Sequence, residues 1–163
     1  MLYAVNSGWW DHYWPQVKKH ACQKWTTNKE SAEKYGLNWV AEKNAPGLSK
    51  DPSIIHHGHG SGFTLLNLAY LMGANRILLI GYDLKYAPDY NGHTREVGSS
   101  PRHYFGEYPV ELQHWPKVHV EKGVHTELCN LYQSVADQRI VEIINCSTDS
   151  ALTCFPFADI SEI

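Results

Sequence analysis

The sequence predicts a single α/β domain, residues 1–163, with a mostly parallel sheet flanked by helices. Three observations carry that expectation. Arg76 to Ile80 is a nearly continuous apolar run, the pattern of a parallel strand covered on both faces, and it ends at Gly81-Tyr82-Asp83. Upstream, Gly60-Ser61-Gly62 opens a helix through Met72, with Leu65, Leu68, Ala69 and Met72 on one face at spacings of three and four. Ile140 to Ile144 repeats the buried-strand pattern and is followed by Asn145-Cys146-Ser147. Glycine turn, helix, apolar strand and terminal acid form half of a doubly wound unit, which makes the expected fold Rossmann-like.

The remaining elements follow from local chemistry. Leu2 to Asn6 reads as a short strand that turns at Ser7-Gly8. Trp9 to Lys19 suits a helix, with Pro15 near its start or splitting it. Gln23 to Thr26 is a second short strand. Asn28 caps a helix over Lys29 to Tyr35, and Gly36 stops it. Leu37 to Glu42 alternates like a strand, and Asn44-Ala45-Pro46-Gly47 is a loop. Residues 84 to 117 carry seven Pro and Gly and few periodic signals, as lid segments and insertions do. Val118 to Ala136 reads as a helix interrupted early by Gly123, and the tail from Ser150 holds a short apolar piece with Pro156.

Composition narrows the function classes. A length of 163 residues supports one core, and a net charge of −3 offers no electrostatic footprint for nucleic acid. No apolar run reaches the roughly 20 residues of a membrane-spanning helix, and the short start Met1 to Asn6 lacks a signal peptide's basic region. Cys22, Cys129, Cys146 and Cys154 are widely spaced with no C-x-x-C, so free thiols in a reducing cytoplasm are expected. The six Trp and ten Tyr suit cores, interfaces or sugar-stacking platforms.

Candidate chemistry gathers at three places. Gly58-x-Gly60-Ser61-Gly62 before a helix can bring backbone N–H groups to a phosphate or carboxylate, or it can be a plain strand-to-helix turn capped by serine. It matches neither the P-loop nor G-x-G-x-x-G. Asp83, beside Tyr82 at a strand's carboxyl end, can hold a ribose or sugar hydroxyl or cap a loop. Asn67, Asn145 and Ser147 complete the candidate binding set. Histidines are abundant, yet none fits H-E-x-x-H, so no metal is expected. His103, in the lid-like region, is the candidate general base.

Several stretches resemble a family of uncharacterised bacteriophage and prophage proteins. They include Trp9-Trp10-Asp11, Lys24-Trp25-Thr26, Tyr35-Gly36-Leu37, Gly60-Ser61-Gly62-Phe63, Ile80-Gly81-Tyr82-Asp83 and His103 through Pro109. The segments Asn67 through Ala74 and Asn145-Cys146-Ser147 through Pro156 extend the match over nearly the whole chain. That family is similar, more remotely, to sialyltransferase-like Rossmann-type glycosyltransferases. The resemblance implies a nucleotide sugar against Ser61 and Gly62, with His103 as the base that deprotonates an acceptor hydroxyl, and no resident cofactor. Relatives begin with a further βα unit upstream of the segment matching Leu2-Tyr3-Ala4. Its loss would expose a sheet edge and favour a homodimer or pairing with a host protein. Two readings follow for a protein of the host bacterial cytoplasm: a phage glycosyltransferase, or a non-catalytic accessory protein that binds a host protein or sequesters a nucleotide.

Overall fold

The computed structural model describes residues 1–58, 60–86, 109, 112, 120–121 and 124–163. It is an α/β structure of short, mostly parallel sheets, with four helices among the described residues. The chain divides into two compact units, Met1–Gly73 and Ala74–Ile163. His103 and most of the expected lid segment lie outside the described residues.

In the N-terminal unit, β1 (Leu2–Tyr3), β2 (Lys24–Thr26) and β3 (Asn38–Trp39) form a parallel sheet in that order. A second parallel pair joins β4 (Ala41–Asn44) to β5 (Ile54–His57), with Ala41 opposite Ile54 and Asn44 opposite His57. Val40 lies between β3 and β4, and its N–H donates to the Thr26 carbonyl. Three helices alternate with these strands: α1 (Ser7–Val17), α2 (Lys29–Tyr35) and α3 (Ser61–Leu71).

Local rules explain α2 fully. The Asn28 carboxamide accepts from Ser31 N–H at 2.7 Å, and Gly36 closes the helix at φ +65°, where a side chain would be strained. Helix α1 departs from expectation, because it starts at Ser7 under an Asn6 cap and runs unbroken through Pro15. Pro15 denies Asp11 a helical partner, but both residues are exposed, so water can satisfy that carbonyl.

Tryptophan packing anchors α1. Trp10 is fully buried, and its indole N–H donates to the Ala4 carbonyl at 3.0 Å. It packs with Ala4, Ala32 and Leu37, with Trp9, Trp14 and Tyr35 around them. The crowded aromatics at the start of the chain are therefore largely core. A second cluster of Tyr3, Val40, Ile55 and Leu68 lies between the strands and α3.

Helix α3 is buried more widely than its apolar spacing suggests. Phe63, Thr64, Leu66, Asn67 and Leu68 are buried, whereas Met72 is exposed. Its N-cap is Gly60 and not Ser61, which is the first helical residue. Gly58 is fixed by contact: a Cβ there would stand 2.2 Å from the Phe63 ring.

In the C-terminal unit, β6 (Arg76–Leu79) pairs in parallel with β9 (Glu142–Asn145), in the register Arg76–Glu142 through Leu79–Asn145. Phe157 bridges to Asn145 at the other side of β9. The expected helix over Val118–Ala136 is corrected. Val120–Glu121 (β7) and Val124–His125 (β8) form an antiparallel pair, and α4 begins only at Thr126 and ends at Gln138. β-Branched Val120 and Val124 favour extended backbone there. The core side of the unit holds Leu79, Tyr132, Val135, Ile143, Leu152 and Phe155. Among the described residues, Leu78 and Ile80, which alternation puts on one side of the strand, are 37% and 63% exposed, where the sequence led to a strand covered on both faces.

Replacing Gly58 by Ala should cost about 1–3 kcal/mol, because Phe63 is itself buried and cannot yield without disturbing the core. Urea melts should show a lower midpoint with an unchanged slope.

Candidate functional site

The carboxyl ends of β6 and β9 lie side by side, and the loops that leave them enclose a cleft of about 710 Å³. This is the edge at which open α/β sheets take ligands. Gly81, at φ +75°, turns the chain out of β6 in a conformation that suits glycine. The cleft is lined by Asp83, Lys85 and Tyr86 from the first loop, and by Cys146, Ser147, Thr148 and Asp149 from the second.

Hydrogen bonds knit the two loops together. Ser147 Oγ accepts from Tyr82 N–H at 3.1 Å, and Ser150 Oγ donates to the Tyr82 carbonyl at 2.5 Å. Ala151 N–H donates to the Asp83 carbonyl at 2.8 Å, and Cys146 N–H donates to the Leu79 carbonyl at 2.8 Å. Asn145 is fully buried; its amide donates to the Leu152 carbonyl and its oxygen accepts from Ser147 N–H, each at 3.0 Å. Asn145 and Ser147 thus shape the loops, while the exposed Asp83 is among the residues that line the cleft.

Leu84 follows Asp83 at φ +48°, a left-handed conformation rare for a branched side chain and worth about 1 kcal/mol or more of strain. Its carbonyl accepts from His125 N–H at 3.0 Å, and Lys85 bridges to Val124. The strain therefore sits where the chain passes from Asp83 to Lys85. Lys85 Nζ meets Asp149 at 2.5 Å, but Asp149 is 95% exposed, so solvent leaves this pair little net strength.

Tyr82 points its ring inward. It meets Tyr132 edge-on at 5.9 Å, and burial pushes its hydroxyl up to about 12. Burial also holds the Tyr132 hydroxyl well above its ordinary value. The cysteines are free, and burial raises the Cys154 thiol to about 11 and that of Cys129 in the same direction, which suits inert thiols.

The other expected residues belong to the N-terminal unit. Gly60 is extended at φ −166°, and a Cβ there would meet nothing within 4 Å, so neither backbone nor space demands glycine. Ser61 and Gly62 form the first turn of α3, whose cap makes no side-chain hydrogen bond. Asn67 is fully buried. Its oxygen accepts from Ser49 N–H at 2.9 Å and His56 N–H at 2.7 Å, and its amide donates to the Ser49 carbonyl at 3.2 Å. That side chain clamps the 47–49 loop to β5.

The structure gathers Tyr82, Asp83, Asn145 and Ser147 in one unit and Gly60, Ser61, Gly62 and Asn67 in the other. Sequence reasoning missed Lys85, Thr148 and Asp149. Their signal was the polar stretch directly after each apolar strand. No group of three or more His, Cys, Asp or Glu suited to a metal occurs among the described residues. No helix there is long and apolar enough to cross a membrane. No protein-family profile, curated protein or solved structure matches the chain.

The tyrosine burial predicts an alkaline limit. The fold favours neutral Tyr82, so its contribution is fully present below about pH 10 and is lost as pH rises toward about 12. Urea midpoints measured upward from about pH 9 should fall across that window, and Tyr82→Phe should decline less steeply.

Proposed function

We propose that the protein binds a nucleotide-activated sugar in the cleft beyond β6 and β9, as a Rossmann-like, glycosyltransferase-like protein of bacteriophage type. The observation that carries this reading is an exposed acid, Asp83, lining a cleft of mixed polar and apolar surface at the carboxyl ends of two adjacent parallel strands. A carboxylate accepts from two hydroxyls at once, which suits a ribose or pyranose diol. Lys85 can exchange its weakly held partner Asp149 for a ligand phosphate, and Tyr86 offers an aromatic ring beside it. The sugar donor is a substrate and no resident cofactor is invoked.

In the catalytic form of this reading, His103 takes the proton of the acceptor hydroxyl. The resulting oxygen attacks the anomeric carbon, and the nucleotide leaves with the bonding electrons. A second reading, a non-catalytic accessory protein that engages a host protein or a second copy of itself, is favoured by one observation. Leu78 and Ile80 expose an apolar side of β6, and such surfaces suit protein contacts.

Calorimetric titration with CMP- and UDP-sugars should give saturable binding to the parent. Asp83→Ala and Lys85→Ala should each weaken it by about 10-fold or more, the loss expected for a charged hydrogen bond. Binding that persists undiminished in both variants, or no binding at all, would sink the cleft assignment. His103→Ala should retain binding and lose turnover if the protein is catalytic.

A further inference from the structure

The two loops that wall the cleft beyond β6 and β9 carry opposite charges that meet. Lys85 belongs to the loop after β6 and Asp149 to the loop after β9, and both line the cleft. Lys85 Nζ stands 2.5 Å from Asp149 Oδ1. Among the described residues that line the cleft, Lys85 is the one cation, whereas Asp83 and Asp149 are both acids. An anionic group that enters therefore meets a lining with more negative charge than positive, and the positive charge is already engaged.

The backbone sets both partners in place without help from their pair. Ser150 N–H donates to the Ser147 carbonyl at 3.2 Å, which closes a turn with Thr148 and Asp149 at its tip. That turn is anchored through Ser147 Oγ and Ser150 Oγ, which bond the Tyr82 N–H and carbonyl. On the other wall, Lys85 bridges to Val124, and the Leu84 carbonyl accepts from His125 N–H. Both loops are thus fixed by hydrogen bonds that do not involve the two charges.

Stability does not account for the pair either. Asp149 is 95% exposed and Lys85 39%, and pairs so open to water contribute little to folding. What the pair does is occupy Lys85. An ammonium is a point charge on a flexible stem, so it can leave a carboxylate for a phosphate while its backbone stays in place.

We infer that Asp149 is an internal competitor for the anionic group of the cleft's ligand, a specificity-determining residue that holds Lys85 until a phosphate or diphosphate displaces it. This rests on the reading of the cleft as the site of a phosphorylated ligand, and it adds the contact that governs entry. The Asp149 carboxylate imitates the ligand's anion on Lys85. A neutral nucleoside makes no demand on Lys85 and escapes the competition. Because the pair is exposed and weak, the handicap it imposes on an anion is a factor of about 3 to 5.

The test is calorimetric titration of the full chain with UDP, inorganic pyrophosphate and uridine at low ionic strength, where exposed charges are least screened. Asp149→Asn keeps the shape of the side chain and should bind UDP and pyrophosphate about 3- to 5-fold more tightly than the parent, with no comparable gain for uridine. Lys85→Gln should weaken UDP, and in that background Asp149→Asn should add nothing, a coupling that a double-mutant cycle reads directly. Equal UDP affinity in the parent and in Asp149→Asn overturns the inference and leaves the cleft assignment standing. A gain that persists without Lys85 also overturns it, because it reports general charge and not competition. A gain shared by uridine overturns it as well, since it reports a reshaped loop. Absence of UDP and pyrophosphate binding in the parent and every variant overturns both the inference and the reading of the cleft on which it rests.

Discussion

The cleft of the C-terminal unit depends on the Ser147 hydroxyl accepting the Tyr82 amide proton. That bond joins the loop after β6 to the loop after β9 at the point where their strands end. Asn145 fixes Ser147 from behind, and Ser150 takes the Tyr82 carbonyl on the other side. The backbone around Tyr82 is thus held at both its donor and its acceptor, and Asp83 follows directly from that framed position. A buried asparagine whose oxygen and amide are both bonded is more restrictive than an apolar side chain of similar size, because it accepts only one arrangement of its neighbours.

Asn67 performs a comparable task in the N-terminal unit, where one oxygen gathers the Ser49 and His56 amides. Both asparagines stood among the ligand-binding candidates of the sequence, within the stretches that carry the resemblance. Their burial and bonding make them framework, with chemistry left to side chains that reach an open space. For Asp83 and Lys85 that space is the cleft beyond β6 and β9.

How much was legible in the sequence varied with the range of the forces involved. Helix α2 was readable to the residue, since Asn28 and Gly36 act on their immediate neighbours. Strands β6 and β9 were readable as apolar runs, and Asp83 and Ser147 as the polar residues just beyond them. The start of α4 was not, because His125 is an unusual cap and the residues before it pair as antiparallel strands that no helical period announces. Pro15 misled in the same way: its position in α1 is tolerated through solvent exposure, which a sequence does not display.

The bonding of Asn145 also governs how the cleft can move. This one residue ties β9 to the loop that follows it through Ser147 and Leu152, and to the tail through Pro156 and Ala158. Local openings of a protein occur in cooperative blocks set by such shared bonds. The loop after β9 and the tail segment at Pro156 and Ala158 therefore share bonds to one residue, and they are expected to open together.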